Sequence, residues 1–238
     1  MHFHVITLFP ESFDSYLKVS ILGRALRGDK PRRLKGSGSR PQASGKIKIS
    51  FYNPRDFAKN KWHRVDQKPY GGGPGMVLEA ESVLRAVEAA LKKAKSKNLK
   101  PKSSSVEVVF FDTSGAPFTN TQARVISKKK KHVIFICGRY EGIDARVQKI
   151  LKAKKVSVGD YTLTGGELPA LVMIDAISRQ IPGVLGTFES VEEERVASSE
   201  VYTRPEVLTW KGKKYKVPSV LLSGNHKDIE AWKRKEKK

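Results

Sequence analysis

Twice in this chain a short apolar run breaks into glycines and then resumes with helical spacing. Residues 132–136 read HVIFI and lead into CGRYEGID (137–144), and residues 157–170 read SVGDYTLTGGELPA. Strand, glycine turn and helix in that order predict a parallel sheet, because a parallel neighbour is reached through a crossover and not a hairpin. After the second turn Leu168, Leu171, Val172, Met173, Ile174 and Ile177 give one broad apolar face, predicting a helix over 168–181 with Pro169 in its first turn. Further strands are expected at Phe3–Phe9, Lys46–Tyr52, Val106–Phe111 and Val156–Leu163, with His132–Cys137 between them. Helical spacing marks 11–26, 76–93, a segment ending in the lysine run 128–131, and 143–151. The fold class is therefore α/β.

The connections divide into two kinds. Residues 30–46 and 92–104 are rich in Lys, Arg, Gly, Ser and Pro and read as mobile basic loops. Residues 53–75 carry many turn formers and are too long for a passive connector, so a functional loop is expected there. Beyond Pro182 the pattern weakens into an acidic, irregular stretch over 187–201. A small basic region with one short terminal helix follows.

Charge narrows the partners. The 46 Lys and Arg outnumber the 24 Asp and Glu, giving a net charge of +22. A field of that sign favours a polyanion, and nucleic acid comes first because each neutralised phosphate releases counterions. An acidic membrane surface, or basicity kept for solubility, explains the charge less specifically. No apolar run reaches the roughly 18 residues of a membrane span, and the start, MHFHVITLFPESF, has no basic region ahead of an apolar core as a secretory signal would. A lone cysteine, Cys137, gives neither an internal disulfide nor a zinc cluster, and a cytoplasmic location is expected. Neither a P-loop nor a dinucleotide-binding glycine fingerprint is present, and the five His residues are scattered.

Three glycine-rich turns remain as sites. PYGGGPGM (69–76) allows close backbone approach, though a flexible loop tip would read the same. CGRYEGID lies at a strand's carboxyl end, where α/β proteins bind ligands, and Glu141 can accept hydrogen bonds there. GDYTLTGGELPA repeats the arrangement, and the two turns are expected side by side on neighbouring strands. Together they can hold an adenosine between backbone walls, with Tyr161 and Leu163 supplying apolar surface.

In order along nearly the whole chain, LFPE (8–11), NPRDF (53–57), PYGGGPGM, CGRYEGID, GDYTLTGGELPA, SRQIPGVLG (178–186), YTRPEVL (202–208) and PSVLLSGNH (218–226) resemble the bacterial tRNA (guanine-37-N1)-methyltransferases. These belong to the knotted, SPOUT-class superfamily. Each motif alone is moderately specific; the ordered set is highly so. The resemblance implies a trefoil-knotted parallel-sheet domain over 1–186, an interdomain linker over 187–201 and a shortened C-terminal tRNA-binding region over 202–238. It implies a homodimer whose active sites are shared between subunits. S-adenosyl-L-methionine is the implied methyl donor, held bent in the knot by three loops. By motif these supply Thr113, then Gly138, Tyr140 and Glu141. The third supplies Val158, Gly159, Asp160, Tyr161, Thr162 and Leu163, with Gly165 and Gly166. Where the family has proline, this chain has Thr113.

The implied chemistry makes physical demands. Guanine N1 holds a proton at neutral pH, so attack on a methyl-sulfonium requires a general base at N1 and a cation where charge develops on O6. Arg179 in SRQIPG matches the family's guanine-binding arginine; as a bare sequence feature it reads equally as a helix-end arginine favoured by the dipole. The family's base is an aspartate followed by serine. Counting from PGVLG places Glu194 there, followed by Arg195, with Glu193 as the near neighbour. A divalent cation such as Mg²⁺ is compatible with family behaviour, although no residue spacing demands it. Two other readings stand beside this one: a knotted methyltransferase acting on another RNA, and a basic RNA-binding protein whose glycine turns are only structural.

Overall fold

A computed structural model describes residues 1–28, 45–95, 105–185 and 200–235. The chain divides into two compact units, Met1–Gly186 and Thr187–Lys238. The first holds a five-stranded sheet built from β1 (His2–Ile6), β2 (Lys48–Tyr52), β5 (Val106–Pro117), β6 (His132–Ile136) and β7 (Lys154–Ser157). The order is β2-β1-β6-β5-β7 and every pairing is parallel. A short antiparallel pair, β3 (Asp66–Gln67) and β4 (Val77–Leu78), stands apart from it.

Both faces of the sheet are covered, which is why its central strands read as apolar runs without alternation. On one face Phe3 and Val5 of β1 and Val133 and Phe135 of β6 meet the helices α1 (Asp14–Leu17), α2 (Ser20–Arg27), α4 (Asn120–Lys129) and α6 (Glu167–Arg179). From α6 come Met173, Ile174 and Ile177, all fully buried. Each such side chain contributes roughly 1.5–3 kcal/mol by leaving water. On the other face Ile6, Ile134 and Ile136 meet Val83, Ala86, Val87 and Ala90 of α3 (Ala80–Lys95) and Val147 of α5 (Ala145–Leu151).

Four local expectations are corrected. The helical pattern over 11–26 breaks into a 3₁₀ turn, α1 and α2, with Ser20, the first residue of α2, at φ +51°. The break lets Phe13, Leu17, Leu22 and Ala25 all reach the same core. The helix expected from Met76 starts at Ala80, because Leu78 donates to the Gly142 carbonyl (3.0 Å) and accepts from the Asp144 amide (3.0 Å). The strand expected over 156–163 ends at Ser157, whose hydroxyl turns the chain by accepting from the Gly159 amide (3.3 Å) and donating to its carbonyl (2.9 Å). Finally, β5 lies between β6 and β7, so the strands carrying the second and third glycine turns are not neighbours.

The second unit contains a hairpin that the sequence reading did not include, β8 (Val207–Trp210) with β9 (Lys213–Lys216), followed by a 3₁₀ turn and α7 (His226–Lys235). Its two-residue turn, Lys211-Gly212, has both residues at positive φ, which suits the right-handed twist of the strands. The basic loops 30–46 and 92–104 fall largely outside the described residues.

Candidate functional site

The carboxyl ends of β6 and β7 and the middle of β5 converge on a cavity of about 290 Å³. That size is near the lower end for small-ligand pockets. Three stretches of chain wall it. The first is Phe111, Asp112 and Thr113, at the place where the pairing of β5 with β7 slips between Phe111 and Ala116. The second runs from Gly138 to Gly142. The third supplies Val158 and Gly159, then Tyr161 to Gly166, and Pro169 of α6 closes the floor.

Although β5 separates their strands, the second and third stretches touch, the Gly166 amide donating to the Gly138 carbonyl at 3.0 Å. That contact needs glycine: a Cβ on Gly166 would lie 2.5 Å from the Cα of Cys137. Tyr140 sits at φ +59°, a left-handed conformation that costs a non-glycine residue about 1–2 kcal/mol. It is held there by a turn from the Gly142 amide to the Arg139 carbonyl (3.0 Å) and by the Glu141 amide donating to the Met76 carbonyl (2.9 Å). The PYGGGPGM loop therefore buttresses the cavity from outside: Gly75 packs against the Glu141 side chain, and Gly71 to Gly73 keep positive φ in open space.

Behind the cavity lies a buried polar network. Glu167, the first residue of α6, is only 3% exposed. It accepts from the Thr7 hydroxyl at 2.7 Å, and its other oxygen lies 3.0 Å from Arg139 Nε, an ion pair whose angle falls short of a hydrogen bond. The Arg139 guanidinium stacks 4.7 Å from the Phe9 ring centre, and a terminal nitrogen reaches the Thr164 carbonyl at 3.5 Å. Arg139 thus ties the second stretch to the third. On the first stretch, the Lys155 ammonium and the Ser114 hydroxyl and amide hold the Asp112 carboxyl down at about 2. Burial raises the Cys137 thiol well above its ordinary range, so it is not a nucleophile.

Of the residues nominated for the cofactor, Thr113, Gly138, Tyr140, Glu141, Val158, Gly159, Tyr161, Thr162, Leu163, Gly165 and Gly166 all line this cavity. Asp160 does not; it is exposed beside it. Arg179 is the last residue of α6. Twelve steps of about 1.5 Å place it roughly 18 Å along the helix from the end that faces the cavity. Glu194 and Glu193 lie outside the described residues. Sequence reasoning missed Arg139 and Glu167: an acid at the start of an apolar helix reads as a complement to the helix dipole, and nothing in its spacing names a partner 28 positions earlier.

The whole chain, residues 1–238, matches the family model described as tRNA (Guanine-1)-methyltransferase TrmD. A tRNA (guanine-N(1)-)-methyltransferase of Buchnera aphidicola subsp. Acyrthosiphon pisum is 41% identical over 238 residues, covering 98% of this chain and 88% of that protein. The protein of the same name from Campylobacter jejuni subsp. doylei is 40% identical over 237 residues, 98% of this chain and 90% of that one. That from Clostridioides difficile strain 630 is 40% identical over 240 residues, covering 99% and 92%.

Proposed function

The chain belongs to the tRNA (guanine-1)-methyltransferase family, and on that premise we propose that it transfers a methyl group from S-adenosylmethionine to N1 of guanine 37 of tRNA, beside the anticodon. The observation that carries the reading is the cavity itself, where CGRYEGID and GDYTLTGGELPA, at the carboxyl ends of β6 and β7, meet beside residues 111–113 of β5. Neither alternative is favoured by the relatives' names, which all specify a tRNA guanine.

The residues present fit the cofactor. Tyr161 and Leu163, half exposed at the cavity, offer apolar surface to a purine, and Gly165 and Gly166 hold the third stretch tightly against the second, a Cβ on them striking Arg139 and Cys137. The bound cofactor supplies an electrophilic methyl on a sulfonium. Arg179 grips guanine O6 and N7 and stabilises the negative charge that develops on O6. Glu194, with Glu193 as the adjacent alternative, accepts the N1 proton.

Within one chain Arg179 is roughly 18 Å of helix from the cavity. That separation supports a homodimer in which each active site takes its cofactor loops from one subunit and its guanine-binding arginine from the other. The passage of 158–166 across the end of β5 to meet Gly138 supports the trefoil knot of the superfamily. Mg²⁺ is proposed on family behaviour alone. The cavity carboxylate Asp112 is already engaged by Lys155 and Ser114, so it offers no preformed site.

RNA binding draws on basic groups interleaved with aromatic ones. On the hairpin, Lys213, Lys214 and Lys216 are exposed alongside Trp210 and Tyr215. In the loop before β3, Lys61 and Arg64 flank the exposed Trp62. No helix among the described residues is long and apolar enough to cross a membrane, and we place the protein in the cytoplasm, with its tRNA. The test is transfer of labelled methyl to two tRNA transcripts, one with G37 and one with A37. Labelling of G37 alone is expected; labelling of neither, with cofactor binding intact, overturns the substrate.

A further inference from the structure

We propose that His2, His4 and His132 form a transition-metal site, filled by Zn²⁺ or a close congener, at the amino-terminal end of the sheet. The strands set the geometry. His2 and His4 are two apart on β1 and share a face, and the parallel register places His132 of β6 directly opposite His2. One ring nitrogen from each histidine lies within 4.8 Å of the other two. His4 Nε2 and His132 Nδ1 are already 3.1 Å apart. Tetrahedral ligands at about 2.0–2.1 Å from zinc stand roughly 3.4 Å from one another. That pair already stands close to ligand spacing, and the half-buried His2, stacked on His4 with ring centres 4.0 Å apart, closes the set by turning out of the stack.

The surroundings have the character of a metal's outer shell. His4 Nδ1 is 3.0 Å from the Tyr52 hydroxyl. With that nitrogen donating, Nε2 keeps its lone pair facing His132. Such a partner fixes tautomer and ring orientation in imidazole sites. His2 Nε2 is 2.9 Å from Ser50 Oγ, a contact that is given up or re-formed as its ring turns. Burial first, and neighbouring positive charge second, lower the pKa of all three imidazoles and so favour the neutral form a ligand needs. His4 is fully buried, while His2 and His132 reach solvent, leaving an entry path and a fourth position for water.

Charge selects the ion. Lys93 Nζ lies 2.9 Å from Ser50 Oγ, and Lys48, Lys131 and the terminal amine are near. That field opposes any cation, so only an ion forming strong direct bonds to imidazole, such as Zn²⁺, Co²⁺ or Ni²⁺, fits the site. An all-nitrogen set also excludes Mg²⁺, which takes oxygen ligands. The site is the length of β6 away from the cavity, about 13 Å or more, so it is a clip joining β1 to β6 and not a part of methyl transfer.

The test is a titration of untagged, chelator-stripped full-length protein with Co²⁺, read by visible absorption. One equivalent giving the intense bands of a low-coordinate Co²⁺ centre, displaced by Zn²⁺, is expected. Tyr52→Phe should weaken Co²⁺ binding about tenfold. The double variant His2→Gln/His132→Asn should abolish it, with its circular dichroism unchanged. Absence of the bands in the parent protein, or a folded double variant that still takes up one equivalent, overturns the proposal.

Discussion

Replacing Glu167 with alanine should unseat the cavity from behind. The carboxylate is 3% exposed, accepts from Thr7 at 2.7 Å, and is the counter-ion of Arg139. Removing one member of a buried pair costs about 3–5 kcal/mol, because the other charge stays behind without its partner. Here the Arg139 side chain is 25% exposed, so water takes up part of that penalty. The lost Thr7 hydrogen bond adds about 1 kcal/mol. The net expectation is roughly 3 kcal/mol. For a unit of this size about 2–4 °C accompanies each kcal/mol, so the melting temperature should fall by roughly 6–12 °C. Glu167→Gln keeps an acceptor for Thr7 and should lose less. Because Arg139 links the second stretch of the wall to the third, S-adenosylmethionine affinity measured by calorimetry should also drop in Glu167→Ala. A melting temperature within about 2 °C of the parent would refute the reasoning, since a buried counter-ion would then contribute nothing.

Four further outcomes are expected. Arg179→Ala should slow methyl transfer sharply, with cofactor affinity measured by calorimetry unchanged; a parental rate removes Arg179 from the reaction. Glu194→Gln should cripple the single-turnover step, and if Glu193→Gln does so instead, the base is the neighbouring residue. Gly166→Ala places a methyl 2.5 Å from the Cys137 Cα; overpacking of that kind costs about 1–3 kcal/mol and should weaken cofactor binding, which equilibrium dialysis would reveal. Asp112 titrates at about 2 instead of 3.8, so its stabilising effect is complete above pH 3.8 and is lost as pH falls through 2. Melting curves of Asp112→Asn should therefore lie below the parent above pH 4 and converge with it near pH 2; parallel curves would place that dependence elsewhere.

What could be read in the sequence followed from how much of each signal is local. The apolar runs at 132–136 and 168–177 announced a buried strand and a buried helix, because both faces of the sheet are covered and no polar alternation interrupts them. The glycine turns announced the cavity for the same reason, since the need for a residue without Cβ is written at the position itself. Order across the sheet was not legible: nothing in β7 says that β5 stands between it and β6. The Arg139–Glu167 pair and the three histidines, scattered at 2, 4 and 132, exist only through tertiary register. The hairpin at 207–216 was within reach, for Lys211-Gly212 between two short β-prone runs is a turn signal.

The second and third walls of the cavity meet where the Gly166 amide donates to the Gly138 carbonyl, at a position with no room for a Cβ. A substitution at Gly166 therefore moves both walls at once. An inhibitor that filled the cavity could be evaded at that position only by a change that also loosens the natural ligand.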